Sequence, residues 1–295
     1  MFMPINQTHF YIECMYLDAS LIPHNLVEIG YWNGENVTVN TNNNGTLYPG
    51  SIFPIITPPK SSTFWFYGEN NLAPSAIGLN SANNWQNVTS LLQLPKGYSY
   101  EYEQAGFVSA DTSYLVCSSG VAGANGTAPI WKFQLPSGAL LHEITNPGGP
   151  VSLPSFTFPD YQSGNSMILV VENVNFQTAT AYFTPMNFDT MEQLGTTLQV
   201  PFPHYTIYGG TAPWNAAAFA NGKFYVVMTT DYGTFPDVIY EIILEIQMPS
   251  SPTDSATLLD QENYLYEYSH NLIATSDWLY TDTGPATISR WDISN

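Results

Sequence analysis

Apolar positions in this chain fall in short runs bounded by turn-forming residues, and the clearest pair of runs lies at 216–227. Ala216-Ala217-Ala218-Phe219-Ala220 leads into Asn221-Gly222, and then into Lys223-Phe224-Tyr225-Val226-Val227. Asn-Gly supplies the two positive-φ residues of a type I′ turn, so this pattern predicts a tight β-hairpin. The second strand has counterparts at His9-Phe10-Tyr11-Ile12, Phe64-Trp65-Phe66-Tyr67, Tyr114-Leu115-Val116-Cys117, Met167-Ile168-Leu169-Val170 and Trp278-Leu279-Tyr280. Each follows a polar turn cluster, such as Asp111-Thr112-Ser113 or Thr275-Ser276-Asp277. A further short apolar segment precedes each turn. No stretch of about 12 residues sustains a helical period, so the chain is predicted to be all-β.

The anchors recur about every 54 residues, a spacing at which internal repeats signal propellers or solenoids. Four short strands with their loops need roughly 40–50 residues, which fits one blade per repeat. The predicted repeats span about 1–48, 49–97, 98–148, 149–202, 203–262 and 263–295 within a single domain, 1–295. In the first, Phe10–Leu17 and Asn25–Trp32 are strands. In the third, Pro136-Ser137-Gly138 joins Ile130–Leu135 to Ala139–Ile144. The sixth is one strand short, and Tyr264-Leu265-Tyr266-Glu267-Tyr268 is expected to cover its edge. An uncovered edge would instead invite a partner strand.

Composition agrees. Aromatics reach 15 %, and 21 Gly and 22 Pro are spread along the chain, as many turns require. The pattern resembles the β-propeller superfamily, with six blades of kelch-like or NHL-like size and mostly four antiparallel strands each; five or seven blades are the alternatives. Trp291-Asp292 is similar to the WD dipeptide, but it occurs once and without its Gly-His partner. The double glycine of kelch repeats does not precede the second strands.

Charge changes the picture more than hydropathy does. Only 10 % of residues are charged, with 24 acids against 5 bases, for a net −19 at pH 7. About 25 % is usual. Such a protein repels phosphate backbones, so nucleic acid is excluded as a partner. Below a pH of about 4 most carboxyls would be neutral, and the five Lys and Arg with five His would invert the sign. This Tyr/Asn/Thr-rich, Lys-poor style is similar to exterior or virion proteins of thermoacidophilic archaea and their viruses. An ordinary acidic secreted protein fits the same composition. No apolar run of 18 residues occurs, so no membrane span is predicted. Met1-Phe2-Met3-Pro4 lacks the regions of a signal peptide, and assembly into a virus particle is one other route to the exterior.

Candidate chemistry is positional. A carboxylate follows the second strand of five repeats: Asp18, Glu69, Glu172, Asp231 and Asp282. If these sit in loops gathered on one face, they would bind a ligand or hold a cation. Ca²⁺, which takes six to eight oxygens, is the one candidate cofactor. Trp214, Tyr232 and Phe176 would offer stacking faces to a sugar. Solvated loop acids with no ligand are the plainer account. Two acids at about 5 to 9.5 Å would also serve glycoside hydrolysis. A sialidase-type propeller is disfavoured, because its three substrate-binding arginines face a chain with Arg290 alone. His9, His24, His142, His204 and His270 follow no zinc spacing, and neither a phosphate-cradling Gly-Lys loop nor a Gly-x-Ser-x-Gly elbow occurs. Cys14 and Cys117 lie on second strands of non-adjacent repeats, so no disulfide is expected. Sequons stand at Asn6, Asn36, Asn44, Asn87 and Asn125; Asn44 and Asn125, in Asn-Gly-Thr loops, are the candidate glycan sites.

These features predict a non-enzymatic exterior module, at a virion or cell surface, whose partners are proteins of an assembly or surface glycans. A secreted carbohydrate-active enzyme using paired loop carboxylates is the alternative.

Overall fold

The structure, a computed structural model, describes residues 2–4, 9–17, 23–39, 46–49, 53–58, 61–70, 73–80, 86–95, 106–118, 129–145, 155–162, 164, 166–175, 178–202, 205–207, 217–230, 240–251, 253–265, 272–284 and 287–294. Among them there is no helix, and every sheet is antiparallel and built from strands consecutive in the chain. The first sheet holds β1 (Phe2–Pro4), β2 (His9–Leu17), β3 (Pro23–Trp32), β4 (Val37–Val39) and β5 (Thr46–Pro49). The second holds β6 (Phe53–Pro54), β7 (Thr63–Asn70), β8 (Ala73–Asn80) and β9 (Gln86–Leu91). The third holds β10 (Gly106–Val108), β11 (Tyr114–Ser118), β12 (Pro129–Gln134) and β13 (Leu140–Thr145). The fourth holds β14 (Ser155–Asp160), β15 (Ser166–Asn175), β16 (Thr178–Asn187), β17 (Glu192–Gln193) and β18 (Leu198–Phe202). The fifth holds β19 (Tyr205–Ile207), β20 (Ala217–Ala220), β21 (Lys223–Thr230), β22 (Tyr240–Gln247) and β23 (Thr257–Leu265). The sixth holds β24 (Leu272–Ala274), β25 (Trp278–Gly284) and β26 (Thr287–Asp292).

In each five-stranded sheet two short strands share one side of one neighbour: β4 and β5 on β3, β17 and β18 on β16, β19 and β20 on β21. These sheets are therefore four strands wide, like the second and third, and the sixth is three strands wide. The chain is thus all-β, of antiparallel sheets of mostly four strands with the sequential order of propeller blades. The six anchor segments all lie on second strands, β2, β7, β11, β15, β21 and β25.

The reasons are local. Ala220 pairs with Lys223 across Asn221 and Gly222, whose φ angles are 53° and 72°, the left-handed pair of a two-residue hairpin. Asp111 builds the turn before β11, accepting hydrogen bonds from the Ser109 and Ser113 hydroxyls at 2.6 Å each. The Tyr264-Leu265 segment corrects one expectation. It ends β23, where Tyr264 lies opposite Glu241 and Leu265 opposite Tyr240, so it widens the fifth sheet and does not cover the sixth. Its neighbours on β22 are paired along the whole strand, from Tyr240 to Gln247, so that strand's backbone groups find partners over its full length. Residues 266–268 of the expected strand lie outside the described residues. Cys117 is buried and in no disulfide. No helix among the described residues is long and apolar enough to cross a membrane.

The contacts divide the chain into two compact units. One comprises Met1–Tyr102, Phe107–Val116 and Trp131–Glu143; the other comprises Glu103–Gly106, Cys117–Ile130 and Ile144–Asn295. In the first, Ile56 and Phe107 form a parallel bridge, and the Gln93 N–H donates to the Gly138 carbonyl at 2.9 Å. Its core includes Ile55, Trp65, Ile77, Phe107, Leu115, Trp131 and Phe133. In the second, the fifth sheet is covered on both faces. Phe224, Val226, Ile242, Leu244 and Ile246 are buried on one face, and Phe224 meets Phe158 and Phe183 of the fourth sheet at ring-centroid distances of 5.6 and 6.4 Å. On the other face Tyr225, Val227 and Ile243 pack with Leu272, Leu279 and Ile293 at the sixth sheet.

Candidate functional site

The structure places the expected carboxylates differently from the loop reading. Glu69, Glu172 and Asp282 lie within β7, β15 and β25, opposite Pro74, Ala181 and Ile288. The reason is strand length: these second strands run on to Asn70, Asn175 and Gly284, past the apolar run that marked them. Asp18, Asp231, Trp214, Tyr232, Phe176, Asn44 and Asn125 lie outside the described residues, as does Asn6. Asn36 is exposed beside a turn in which the Asn33 side chain accepts from the Glu35 and Asn36 N–H groups, and Asn87 is on β9. Among the described residues no three His, Cys, Asp or Glu side chains gather as a metal site.

What the described residues do form is a pocket of about 270 Å³ between the fifth and sixth sheets. Its first wall is a row across the fifth sheet. Tyr225 on β21 lies opposite Glu245 on β22, and Glu245 lies opposite Asp260 on β23. Directly opposed residues share a face, with Cβ atoms about 4.5–5.5 Å apart. A bulge just beyond, between Glu245 and Ile246, leaves Leu259 without an opposite number and keeps Asp260 level with Glu245. Lys223, one pleat before Tyr225, reaches Glu245 with Nζ 2.8 Å from Oε1.

The second wall is β25 and β26. Leu279 lies opposite Trp291, and with Ile293 these residues face the fifth sheet. Arg290 and Asp292 flank Trp291 and are exposed. The Arg290 guanidinium stands 3.9 Å from the centre of the Trp278 ring, a cation–π contact. Asp292 accepts from the Ser294 hydroxyl at 2.5 Å and from its N–H at 3.0 Å. Those two bonds, with the Arg290 charge, hold the Asp292 carboxyl below its usual range against a smaller desolvation effect. Polarity thus grades outward, from a floor of Tyr225, Ile243, Leu279 and Ile293 to a rim of Asp260, Arg290 and Asp292.

Tyr225 is the unusual member. It is 1 % exposed, and its hydroxyl has no hydrogen-bond partner among the described residues. Burial, and then the nearby Glu245 charge, push its pKa up to about 12. An unsatisfied buried hydroxyl costs about 1–3 kcal/mol, so the fold carries this group at a loss. None of these pocket residues stood out in the carboxylate pattern of the sequence. Of the five cations in the chain, Arg290 lines this pocket and Lys223 is bound to its Glu245, a grouping that strand register and not sequence spacing produces.

The sequence matches no protein-family model and no curated protein. Among solved structures, it is similar to TolB from Acinetobacter baumannii, with 10 % identity and a TM-score of 0.49 over 94 % of this chain. The chain spans 61 % of that TolB chain. An alpha-L-arabinofuranosidase from Clostridium thermocellum shows 12 % identity and a TM-score of 0.43, over 78 % of this chain and 81 % of its own.

Proposed function

We propose that this protein is a non-enzymatic exterior binding module: a scaffold of antiparallel sheets that recognises surface glycans, with protein partners of an assembly as its other class of contact. The observation that supports this most is the pocket between the fifth and sixth sheets. It is set on paired strands, which hold recognition groups rigidly, and it offers acceptors, donors and an apolar floor together. The setting we propose is a virion or cell surface in an acidic medium, as in an acidophilic archaeal system; the 10 % charge content supports it. The test is a glycan array run at pH 3 and pH 7, beside an assay for reducing-sugar release from the same glycans. Binding without release is the expected outcome. No binding at either pH would refute the glycan-binding reading.

One observation favours a second reading, a secreted carbohydrate-active enzyme. Glu245 and Asp260 are directly opposed, and hydrolysis needs two carboxyls a short distance apart. One oxygen of the Glu245 carboxylate is engaged by Lys223 at 2.8 Å, and a general acid must have its carboxyl within reach of the leaving-group oxygen. Release of sugar that disappears in Asp260→Asn and Glu245→Gln would establish the enzyme instead.

A further inference from the structure

We infer that the pocket between the fifth and sixth sheets takes a single neutral pyranose residue, and that the Tyr225 hydroxyl is the group whose hydrogen bond that sugar completes. This rests on the binding-module reading above and names its ligand.

Three features carry it. The first is size. At about 270 Å³ the cavity falls just below the roughly 300–1,000 Å³ of sites that enclose drug-sized ligands, so it suits one ring and no more. The second is charge. Acids and bases stand together in it: Glu245 is bound to Lys223 beside Asp260 on the fifth sheet, and Asp292 lies near Arg290 on the sixth. A charged ligand would have to compete with these partners. A neutral polyol does not, and each of its hydroxyls both donates and accepts, matching walls that present both. The third is the floor. Ile243, Leu279 and Trp291 offer an apolar surface, and a pyranose is apolar on its C–H faces while polar around its edge.

Tyr225 supplies the independent sign that a ligand belongs here. Tyr225 lines the pocket, and its hydroxyl is buried and has no partner among the described residues. Free protein is destabilised by such a group, and a bound hydroxyl would satisfy it. The side chain therefore has opposite effects on folding and on binding. A purely structural tyrosine would not show this split.

The experiment uses the full chain. Saturation-transfer NMR and calorimetric titration are run with methyl glycosides of glucose, galactose and mannose, and with the matching glucuronate and glucosamine glycosides as charged controls. We expect at least one neutral glycoside to bind. Tyr225→Phe should weaken it about fivefold, the worth of one hydrogen bond, while the melting temperature holds or rises. Asp260→Asn, at an exposed position, should weaken it about tenfold, as loss of a charged acceptor predicts. Stronger binding of a charged sugar would overturn the neutral assignment. Glycan-array binding unchanged by both variants would overturn this site while leaving the binding module intact. No sugar bound in either format would remove both.

Discussion

The two faces of the fifth sheet are made by alternate residues of the same strands, yet they have different characters. Phe224, Val226, Ile242, Leu244 and Ile246 are buried on one face, where Phe219 also approaches Phe224 at 4.9 Å. Their neighbours in sequence, Tyr225, Ile243 and Glu245, turn to the other face and line a cavity. Strand propensity and backbone pairing are common to both, so neither explains the difference. What differs is the inserted polarity: Lys223, Tyr225, Glu245 and Asp260 occupy one pleat phase and the large apolar residues the other. The first face illustrates how the sheets are held, and the second what a fold keeps at some cost to stability.

The largest effect should come from emptying the closed face. Phe224→Ala removes a fully buried ring that meets three other phenylalanines, and should cost about 3–5 kcal/mol. Denaturant unfolding would measure it. A loss below about 1 kcal/mol would mean that this face is not the tightly packed one. Next comes the rim of the same face. Gly195 has φ of 70°, and a Cβ there would stand 1.7 Å from the Asp254 carbonyl oxygen. Thr196 and Ser255 hydroxyls meet alongside at 2.6 Å. Gly195→Ala should cost more than the roughly 1–2 kcal/mol of left-handed backbone strain alone, and a neutral result would show that the loops can part without loss.

On the cavity face the sign should reverse. Tyr225→Phe deletes only a hydroxyl without a partner, so stability should hold or rise by up to about 1–3 kcal/mol. A marked loss would reveal a bond that this hydroxyl makes. The same residue sets an alkaline limb. Its folded pKa, about 12, lies above the ordinary value near 10, so between those values the unfolded chain gives up a proton that the folded chain keeps, and stability falls as pH climbs from 10 toward 12. Melting temperatures between pH 9 and 12 should fall less steeply in Tyr225→Phe than in the parent chain.

This contrast also marks how far the sequence could be read. The second strands were legible because their apolar runs are dense and the turns before them carry Asn-Gly, Asp-Thr-Ser or Thr-Ser-Asp. Outer strands were harder: Thr257–Leu265 reads Thr-Leu-Leu-Asp-Gln-Glu-Asn-Tyr-Leu, half polar, with Thr257, Leu259 and Asp260 exposed, and only its pairing with β22 defines it. The site was less legible still. Aligning repeats selected a carboxylate in five of the six copies, each chosen for its place just after the second strand. The pocket instead depends on residues 225, 245 and 260, which become neighbours through two registers and a bulge. Register across strands is a tertiary quantity, and a one-residue slip would send Glu245 to the opposite face.

The smallest expected effect lies at the pocket rim and in two turns, and it bears on the acidic setting proposed above. Asp111, Asp254 and Asp292 all have carboxyls held below the ordinary range. The leading cause in each is a serine hydroxyl: Ser109, Ser250 and Ser294 respectively. A carboxyl with a lowered folded pKa contributes stability that is present above its unfolded pKa, and that is lost as pH falls through the folded value. These three therefore favour a decline below pH about 4. Opposing them is the net charge of −19 at pH 7, whose self-repulsion eases as the other acids protonate. The two terms act in different windows. Melting temperature should rise from pH 7 toward about 4.5 and turn down below about 4. Asp292→Asn should flatten only the lower limb, and slightly, because this group is exposed and its bonds compete with water. If the parent chain keeps rising to pH 2.5, charge relief outweighs every carboxylate bond, and acid tolerance resides in the composition of the whole surface. A fall that begins near pH 6 would instead point to structural carboxylates beyond these three, and would weigh against an acidic habitat.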